Sequence, residues 1–284
     1  MQEGIPEEQL LSPALFAHFQ KLIYKSCGIS LADSKRTMLS VRLSKRLSAL
    51  QLQTFEEYLE YVGNVSHIDN EFLEFLNVVT TNKTDFYRER HHFEFLTNDI
   101  IPELLARKQI SKDKPLRIWS AGCSSGEEPY TIAMEVAEIL GLDSGAFEVL
   151  ATDISTRVLN QAIGGVYAEE SIAPIPEKLR HKYLMRGKGK YSGRYKVVPE
   201  IQTHVRFSRL NFTAANYNIT EQMHVIFCRN VLIYFDVKTK AYILNKICDQ
   251  LVSHGHLFIG HSETLVPQEY RLERVLPTVY QNIR

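Results

Sequence analysis

Apolar residues recur at intervals of three and four through the first 80 positions, which is the spacing that lines one face of a helix. The pattern predicts four helices, which begin near positions 10, 35, 54 and 69, and the last of them runs from Asp69 to Val79. Thr54 and Glu57 are spaced as a capping box, in which each side chain satisfies a free amide of the first helical turn. Because glycine is rare here and β-branched runs are absent, residues 1–80 are predicted to form an all-helical domain.

The pattern changes after a polar segment at 81–90, which we interpret as a linker. A helix over 90–108 follows, and short apolar runs then alternate with amphipathic segments. The predicted strands are 116–120, 147–151, 224–228 and 256–260, and the predicted helices are 127–140, 155–163 and 238–252. Such alternation favours a mostly parallel sheet with right-handed crossovers, which we place within residues 91–284.

Two segments depart from the alternation. Residues 186–208 combine a glycine-rich turn with β-like runs at 194–198 and 205–209, so we expect a small antiparallel subdomain there. Residues 273–281 are typical of an extra edge strand, because Pro277 lacks the amide that an interior strand needs.

Composition and charge narrow the class of protein. The chain has 284 residues with 33 basic and 33 acidic side chains, so no net positive charge favours nucleic acid. Its four cysteines are scattered, which argues against a disulfide framework and a cysteine-based zinc site. No apolar run approaches the ~18 residues that a membrane span needs. We expect a cytoplasmic monomer that binds no nucleic acid and does not insert into a membrane.

The strongest chemical signal is the segment Arg117–Thr131, followed by Asp153. The segment predicts a strand, a turn of small residues that includes Ala121 and Gly122, and a helix start. Small residues let a backbone approach a ligand closely, and the free amides of a helix start attract anionic groups. Asp153, at the end of the next strand, could accept hydrogen bonds from two ribose hydroxyls. A nucleoside cofactor is one interpretation, and close packing at a strand–helix junction is the other.

Further polar residues favour the cofactor interpretation. Glu128 could pair with an ammonium group, which S-adenosylmethionine has and NAD lacks, although a carboxylate at a helix start also suits the helix dipole. Arg229 and Asn230 follow a strand at the edge where open α/β sheets bind ligands, and Tyr234 comes shortly after. Three polar side chains at the domain junction, for which helix capping is the alternative, are Asn82, Thr84 and Arg88.

The histidines do not predict a metal site. His91 and His92 are adjacent, so on a helix their side chains diverge by about 100°. His254, His256 and His261 lie near one strand, but no cysteine or carboxylate pattern completes a ligand set. We therefore expect no metal.

Together the motifs resemble the CheR family, the S-adenosylmethionine-dependent O-methyltransferases that act on glutamates of chemotaxis receptors. The resembling segments occur in order along nearly the whole chain and are Thr80–Glu89 with His91-His92-Phe93, Ser120–Tyr130, Ala151–Ile154, Phe227–Asp236 and Gly260–Glu263. The resemblance implies a Rossmann-like class I methyltransferase sheet domain with a small antiparallel β subdomain, preceded by an all-helical N-terminal domain. It also implies glutamyl methyl esters and S-adenosylhomocysteine as products, with no metal.

The resemblance also implies roles for individual residues. Asp153 matches the position that holds the cofactor ribose, and Glu128 matches the one that pairs with the methionine ammonium. Other positions that match cofactor-binding residues are Asn82, Thr84, Arg88, Ala121, Gly122, Asn211, Phe212, Arg229 and Asn230. Arg88 and Tyr234 match positions beside the transferred methyl, where Arg88 would orient the substrate carboxylate and Tyr234 would line the path of the methyl.

Two surfaces are candidates for receptor binding. Residues 21–46 carry seven basic side chains against one acidic, and Lys35, Arg42 and Arg46 fall on one helical face. This face is either solvated or, as the resemblance implies, a dock for an acidic helical region of a receptor. The second surface is a loop that resembles the glycine-spaced loop of members that bind a receptor's C-terminal tail peptide as an added strand, with Gly187, Gly189 and Gly193.

The residues alone do not exclude three other functions. A methyltransferase for a small molecule or RNA would leave the basic helical domain and the β subdomain without a purpose. A regulatory module that binds the cofactor without turnover is disfavoured by the intact Arg88, Asp153 and Tyr234. NAD-dependent oxidoreduction is the weakest, because the glycine spacing departs from G-x-G-x-x-G.

Overall fold

Helices form the N-terminal domain as the structure describes it. The computed structural model covers residues 10–64, 70–111, 113–142 and 145–284, so the predicted start of the fourth helix at Asp69 lies outside the described residues. The helices are α1 (Pro13–Cys27), α2 (Arg36–Leu50), α3 (Phe55–Asn64) and α4 (Asn70–Val79), with a 3₁₀ turn at Asp33–Lys35. Phe19, Tyr58 and Phe75 form a buried aromatic centre with ring centroids 6.2 to 6.3 Å apart.

Local sequence signals set where two of these helices begin. Ser12 Oγ accepts the Leu15 amide at 3.2 Å, and Pro13 occupies the first helical position, where its missing amide costs nothing. The predicted capping box is confirmed, because Glu57 N donates to Thr54 Oγ1 at 3.2 Å and Thr54 N donates to Glu57 Oε2 at 3.4 Å.

A seven-stranded sheet and a three-stranded sheet form the second domain. Their strands are β1 (Leu116–Ala121), β2 (Phe147–Asp153), β3 (Val166–Ala168), β4 (Leu184–Arg186), β5 (Arg194–Val197), β6 (Val205–Arg209), β7 (Met223–Cys228), β8 (Leu251–Ile259), β9 (Leu272–Leu276) and β10 (Val279–Asn282). The large sheet has the order β6-β2-β1-β7-β8-β10-β9. Neighbours from β6 to β8 pair in parallel, whereas β10 pairs antiparallel with both β8 and β9. The predicted mostly parallel sheet is confirmed.

Helices cover both faces of this sheet. They are α5 (His91–Phe95), α6 (Ile101–Ala106), α7 (Glu127–Leu140), α8 (Thr156–Gly164), α9 (Glu169–Ile172), α10 (Glu177–Tyr183), α11 (Pro199–Gln202) and α12 (Val237–Asp249). The helix predicted over 90–108 is α5 and α6 joined by a π-helical turn at Leu96–Ile100. None of the helices in the described part of the chain is long and apolar enough to cross a membrane.

The predicted single edge strand over 273–281 is wrong. The segment forms a hairpin of β9 and β10, and Pro277 and Thr278 make the turn between them. A proline without an amide suits a turn as well as a sheet edge, so the local pattern did not separate the two arrangements.

The predicted boundaries of the small subdomain, 186–208, are also wrong. Residues 205–209 form β6, which pairs in parallel with β2 in the large sheet. The antiparallel sheet has the order β3-β5-β4 and takes its first strand from Val166–Ala168, upstream of the predicted range. Partner strands from distant parts of the chain decide these memberships, and the pattern within a segment does not carry that information.

The two domains pack directly against each other. Asn77 in α4 is buried, and its Oδ1 accepts from Ser155 Oγ at 2.8 Å and from the amide of Arg157 at 3.2 Å, which satisfies the first turn of α8. Gly28 ends α1 with φ 73°, and a Cβ there would lie 2.5 Å from Thr213 Cγ2. This close contact places the N-terminal domain over the carboxyl ends of the sheet strands.

Candidate active site

A cavity of about 600 Å³ lies between the two domains. The predicted site residues that line it are Lys35, Asn82, Thr84, Arg88, Gly122, Glu128, Asp153, Asn211, Phe212, Arg229, Asn230 and Tyr234. Ala121 is not among the lining residues, because it is the last residue of β1 and its side chain packs in the core on one face of the sheet. A cavity of this size suits a small-molecule cofactor.

The turn after β1 brings the cavity wall close to the neighbouring loop. Gly122 has φ 89°, and a Cβ on it would lie 2.3 Å from Val231 Cγ2, so only glycine fits here. Gly122 N and Cys123 N both donate to the carbonyl of Thr152, at 2.8 and 2.9 Å. These bonds tie the turn to the end of β2, which carries Asp153.

Asp153 is held rigidly at the end of β2. Its Oδ2 accepts the amide of Ser124 and its Oδ1 accepts the amide of Ser155, each at 2.9 Å. Burial raises the pKa of Asp153, and these amide hydrogen bonds oppose that shift. A carboxylate can accept about four hydrogen bonds, so acceptor capacity remains for the hydroxyls of a ligand.

Glu128 and Arg229 form a buried ion pair in the cavity. Arg229 Nη1 lies 3.1 Å from Glu128 Oε2, and Ser120 Oγ donates to Glu128 Oε1 at 2.7 Å. Arg229 Nη2 lies 3.1 Å from Glu89 Oε2 and donates to the carbonyl of Arg88. Burial raises the pKa of Glu128, whereas the charge of Arg229 lowers it. Two carboxylates thus flank one guanidinium, which leaves a net negative charge able to hold an ammonium group.

Glu263 organises the loop that follows β7, and the sequence motif around it gave no hint of this role. Its Oε2 accepts the amides of Asn230 and Gly260 at 2.9 and 2.6 Å, and its Oε1 accepts the amide of Leu232 at 2.7 Å. Asn230 has φ 58°, and a Cβ on Gly260 would lie 2.4 Å from Asn230 Nδ2. The buried carboxylate therefore holds a strained loop against the cavity.

The segment after α4 crosses the mouth of the cavity. Arg42 Nη1 donates to the carbonyls of Val78 and Thr80, each at 2.9 Å, which satisfies the end of α4. Ser124 Oγ donates to the carbonyl of Asn82 at 2.8 Å, so the segment is fastened to the turn after β1 as well. These anchors set the path that leads to Arg88.

Arg88 and Tyr234 lie together at this mouth. Arg88 Nη1 donates to the carbonyl of Lys83 at 3.3 Å, and Arg88 forms no ion pair with a carboxylate among the described residues. The carbonyl of Tyr234 accepts the amide of Ser30 at 2.8 Å, which fixes its backbone to the N-terminal domain. Burial raises the pKa of Tyr234, while the charge of Arg88 opposes that shift, so the phenol is neutral.

Asn211 and Phe212 both line the cavity, but Asn211 is held by hydrogen bonds and Phe212 by packing. The amide of Asn211 is committed, because its Nδ2 donates to the carbonyl of Ser26 at 2.8 Å and its Oδ1 accepts from Thr213 Oγ1 at 2.9 Å. Phe212 is buried against Trp119, with ring centroids 6.5 Å apart. Asn211 therefore joins the two domains, and its side chain has little left to offer a ligand.

The predicted basic docking face is only partly a free surface. Arg46 donates to Glu71 from Nε at 3.0 Å and from Nη2 at 2.5 Å, and Tyr58 also donates to this carboxylate at 2.8 Å. Arg42 caps α4, as described above. The sequence cannot show that a helix's charges are matched internally, because both partners come from other helices. Lys35 stays exposed and reaches the cavity lining.

The expectation that the histidines diverge is wrong. His91, His92 and His261 each offer a ring nitrogen, and these three atoms lie within 4.8 Å of one another. His91 and His92 are in the first turn of α5 with ring centroids 4.3 Å apart, and the loop after β8 brings His261 to them. His256 instead packs edge-on against Phe95, apart from this cluster.

The arrangement fits S-adenosylmethionine. Asp153 has acceptor capacity left for ribose hydroxyls, the carboxylates around Arg229 suit the methionine ammonium, and Gly122 lets the backbone lie close to a ligand. A parallel sheet with a small-residue turn after β1 and a carboxylate after β2 is the arrangement of a nucleoside-cofactor enzyme, and the carboxylates placed for an ammonium group fit the S-adenosylmethionine-dependent methyltransferase class.

Comparison with known proteins identifies the family within this class. Residues 82–280 match the family model described as "CheR methyltransferase, SAM binding domain", and residues 14–80 match "CheR methyltransferase, all-alpha domain". The chain belongs to the CheR family and is an S-adenosylmethionine-dependent methyltransferase of chemotaxis.

Similar curated proteins cover nearly the whole chain. Chemotaxis protein methyltransferase 2 of Pseudomonas aeruginosa is 40% identical over 268 residues, which are 93% of this chain and 91% of that protein. Chemotaxis protein methyltransferase of Escherichia coli is 40% identical over 274 residues, 96% of this chain and 92% of that protein. Among solved structures, the N-methyltransferase NodS of Bradyrhizobium japonicum with S-adenosyl-L-homocysteine gives a TM-score of 0.35 at 14% identity, covering 67% of this chain and 72% of that one.

Proposed function

We propose that the protein transfers the methyl group of S-adenosylmethionine to glutamate carboxylates of membrane chemoreceptors and leaves glutamyl methyl esters and S-adenosylhomocysteine. The observation that carries this proposal is Arg88. It is a half-buried guanidinium in the cavity lining, and it lacks a carboxylate partner among the described residues, whereas Arg229 in the same cavity has two. An arginine left without a carboxylate suits one that arrives with the substrate.

The chemistry asks for positioning more than for proton transfer. The bound cofactor supplies an electrophilic methyl group on a sulfonium. A glutamate side chain is ionised at neutral pH, so no strong base has to activate it. Arg88 would bind one carboxylate oxygen and leave the other free to attack, while the neutral phenol of Tyr234 lines the path and excludes water. Asp153 and Glu128 would hold the cofactor in register with both.

Receptor docking would use the exposed basic residues near the cavity. Lys35 lies at the cavity, and Lys21, Lys25 and Lys45 are also exposed on α1 and α2. These positive charges suit an acidic helical region of a receptor and would steer its approach in a salt-dependent way. Relatives whose names identify them as chemotaxis protein methyltransferases support a chemoreceptor as this partner.

The small sheet would bind the C-terminal tail peptide that some receptors carry. Its strand β4 lies at an edge, where an extended peptide can pair as an added strand. The adjoining loop depends on glycine: Gly189 and Gly193 have φ 57° and 75°, and a Cβ on Gly187 would lie 2.2 Å from the carbonyl oxygen of Tyr191.

Tail binding can be tested with a matched pair of glycine variants. Gly187→Ala should raise the KM for a receptor that has a tail and leave the KM for the truncated receptor unchanged, because only the tail uses the loop. Gly164→Ala in α8 is the control, since a Cβ there meets nothing within 4 Å. Equal methylation of the receptor with and without its tail by the unchanged protein would refute tail binding.

The main test is the chemical nature of the product. The protein is incubated with methyl-labelled S-adenosylmethionine and membranes that contain chemoreceptors, and the labelled receptor is then treated with mild base. Release of the label as methanol identifies a carboxyl methyl ester. Base-stable label would show that the transferase acts on another nucleophile. No label on any receptor, with cofactor binding shown separately, would contradict the proposed substrate.

A further inference from the structure

A cluster of three histidines lies beside the active site and is joined to it through Arg229. We propose that His91, His92 and His261 bind a divalent transition-metal ion of the zinc type, with the carboxylate of Glu89 beside it as fourth ligand or as acceptor for a bound water.

The spacing of the ring nitrogens suits this class of ion. Nε2 of His91 lies 3.2 Å from Nε2 of His261, and the three candidate ligand atoms lie within 4.8 Å of one another. Ligands at about 2.0 to 2.1 Å from a tetrahedral zinc ion lie roughly 3.4 Å apart. Two of the nitrogens thus already have the spacing of ligands, and small rotations of the exposed His91 and His261 rings would close the third side.

The hydrogen bonds around His92 leave one ring nitrogen ready to bind a metal. Thr278 Oγ1 donates to the carbonyl of Pro277 at 2.6 Å, so it must accept from Nε2 of His92, which lies 2.8 Å away. The proton of His92 is therefore on Nε2, and Nδ1 presents a lone pair. This is the arrangement of a metal-binding histidine, in which the second ring nitrogen donates to a fixed acceptor.

The lone pair on Nδ1 of His92 is fully buried and has no hydrogen-bond partner among the described residues. His92 has no solvent exposure, and its Nδ1 accepts no hydrogen bond among the described residues. It lies 3.5 Å from Glu89 Oε2, which likewise receives no hydrogen bond in that part of the chain. Glu89 Oε2 is already paired with Arg229 at 3.1 Å, so the unmatched group is the buried lone pair of His92, which a cation held beside Glu89 would satisfy.

The local charge also allows a cation. Of the two carboxylates that flank Arg229 at 3.1 Å, Glu128 lines the cavity, whereas Glu89 is not among the lining residues and lies beside the histidines. Glu89 is held in place by its Oε1, which accepts the amide of His261 at 3.2 Å, and its Oε2 lies 4.0 Å from the Nε2 of His261. The carboxylate is thus aimed at the histidines.

The test uses the full chain without a histidine tag and Zn²⁺ or Co²⁺ as the probe. Competition with a chelating dye gives the stoichiometry and affinity for Zn²⁺, and the visible spectrum of Co²⁺ reports its coordination. The variants are His91→Ala and His261→Ala, whose rings are exposed, and the control is His181→Ala, an exposed histidine on α10. All four cysteines are buried, so thiols do not compete for the ion in the folded chain.

We expect one Zn²⁺ per chain, with affinity at least about tenfold weaker in each cluster variant and unchanged in the control. Binding of S-adenosylhomocysteine within roughly twofold of the unchanged protein would show that the variants are folded. Absence of Zn²⁺ binding by the unchanged protein would overturn the proposal, as would equal affinity in the cluster variants. A Co²⁺ spectrum typical of thiolate ligands would also overturn it.

Discussion

The floor and the mouth of the cavity differ in how completely their polar groups are matched. At the floor, which we define as Glu128, Asp153 and Arg229, every charged group has partners at 2.7 to 3.1 Å. At the mouth, defined as Lys35, Arg88 and Tyr234, the two cations form no ion pair in the described part of the chain, and Lys35 is exposed.

This difference indicates two kinds of ligand. A matched, rigid floor suits a cofactor that is the same in every turnover, because its donors and acceptors need no rearrangement. An unmatched mouth suits a charged group that comes and goes with a second macromolecule. Substitutions at the floor should therefore weaken the binding of the cofactor. Substitutions at the mouth should lower turnover or raise the KM for the receptor.

The largest effect on cofactor affinity is expected from Asp153→Asn at the floor. The new amide would point its NH₂ group at the amide of Ser124 or Ser155, which are both donors. We expect about 3 kcal/mol of lost binding, or roughly 100-fold weaker S-adenosylhomocysteine binding by calorimetry. Asp249→Asn is the control, because its side chain is 62% exposed. Unchanged affinity for S-adenosylhomocysteine would contradict the role of Asp153 in cofactor binding.

Glu263→Gln tests whether the floor depends on the loop behind it. Glutamine has one acceptor oxygen for the three amides that Glu263 now binds, so at least one buried amide loses its partner. We expect a loss of about 2 kcal/mol in the free energy of unfolding, measured with denaturant, and a lower kcat. Glu269→Gln, an exposed neighbour in sequence, should change neither, and a stable, fully active Glu263→Gln would contradict this role.

Tyr234→Phe at the mouth should have a smaller effect. The phenol is neutral and has no required proton transfer, so removal of its hydroxyl would leave the aromatic wall in place. We expect kcat to fall by no more than about 3- to 10-fold with unchanged cofactor affinity, the range for one neutral hydrogen bond from the hydroxyl to the bound substrate. A loss as large as that of Asp153→Asn would mean that the hydroxyl takes part in the reaction.

The smallest effect is expected from Lys35→Glu. The exposed charge should raise the KM for receptor by roughly threefold at low salt, and the difference should vanish as the salt concentration rises. Lys108→Glu, an exposed lysine that does not line the cavity, is the matched control. Equal changes in both variants would show that net charge, and not the mouth, matters.

The sequence predicted those parts of the fold that are determined within a single segment of the chain. The helix over 127–140 was predicted at its observed bounds, and the Thr54 capping box is confirmed by its two hydrogen bonds. By contrast, the placement of β6 depends on pairing with β2, whose residues lie 56 positions earlier in the chain (Val149 pairs with Val205). Periodicity cannot reveal such a partner.

The candidate site shows the same division. The sequence motifs singled out Asp153 and Glu128, and both residues line the cavity. Asp153 is the last residue of β2 and Glu128 is in the first turn of α7, so each position depends on an element that the local pattern predicts. The histidine cluster joins residues 170 positions apart, and the internal partners of Arg42 and Arg46 come from other helices. Side chains that come into contact only after folding cannot be predicted from the residue spacing within one segment.

The most direct test of the substrate-binding role of Arg88 compares Arg88→Ala with the unchanged protein in two measurements. The substitution keeps the backbone carbonyl that binds Arg229, so the floor stays intact. We predict that kcat/KM for receptor methylation falls about 100-fold, which corresponds to the loss of a hydrogen-bonded ion pair, while the affinity for S-adenosylhomocysteine changes far less. Full turnover by Arg88→Ala would contradict the assignment of the mouth to the substrate carboxylate.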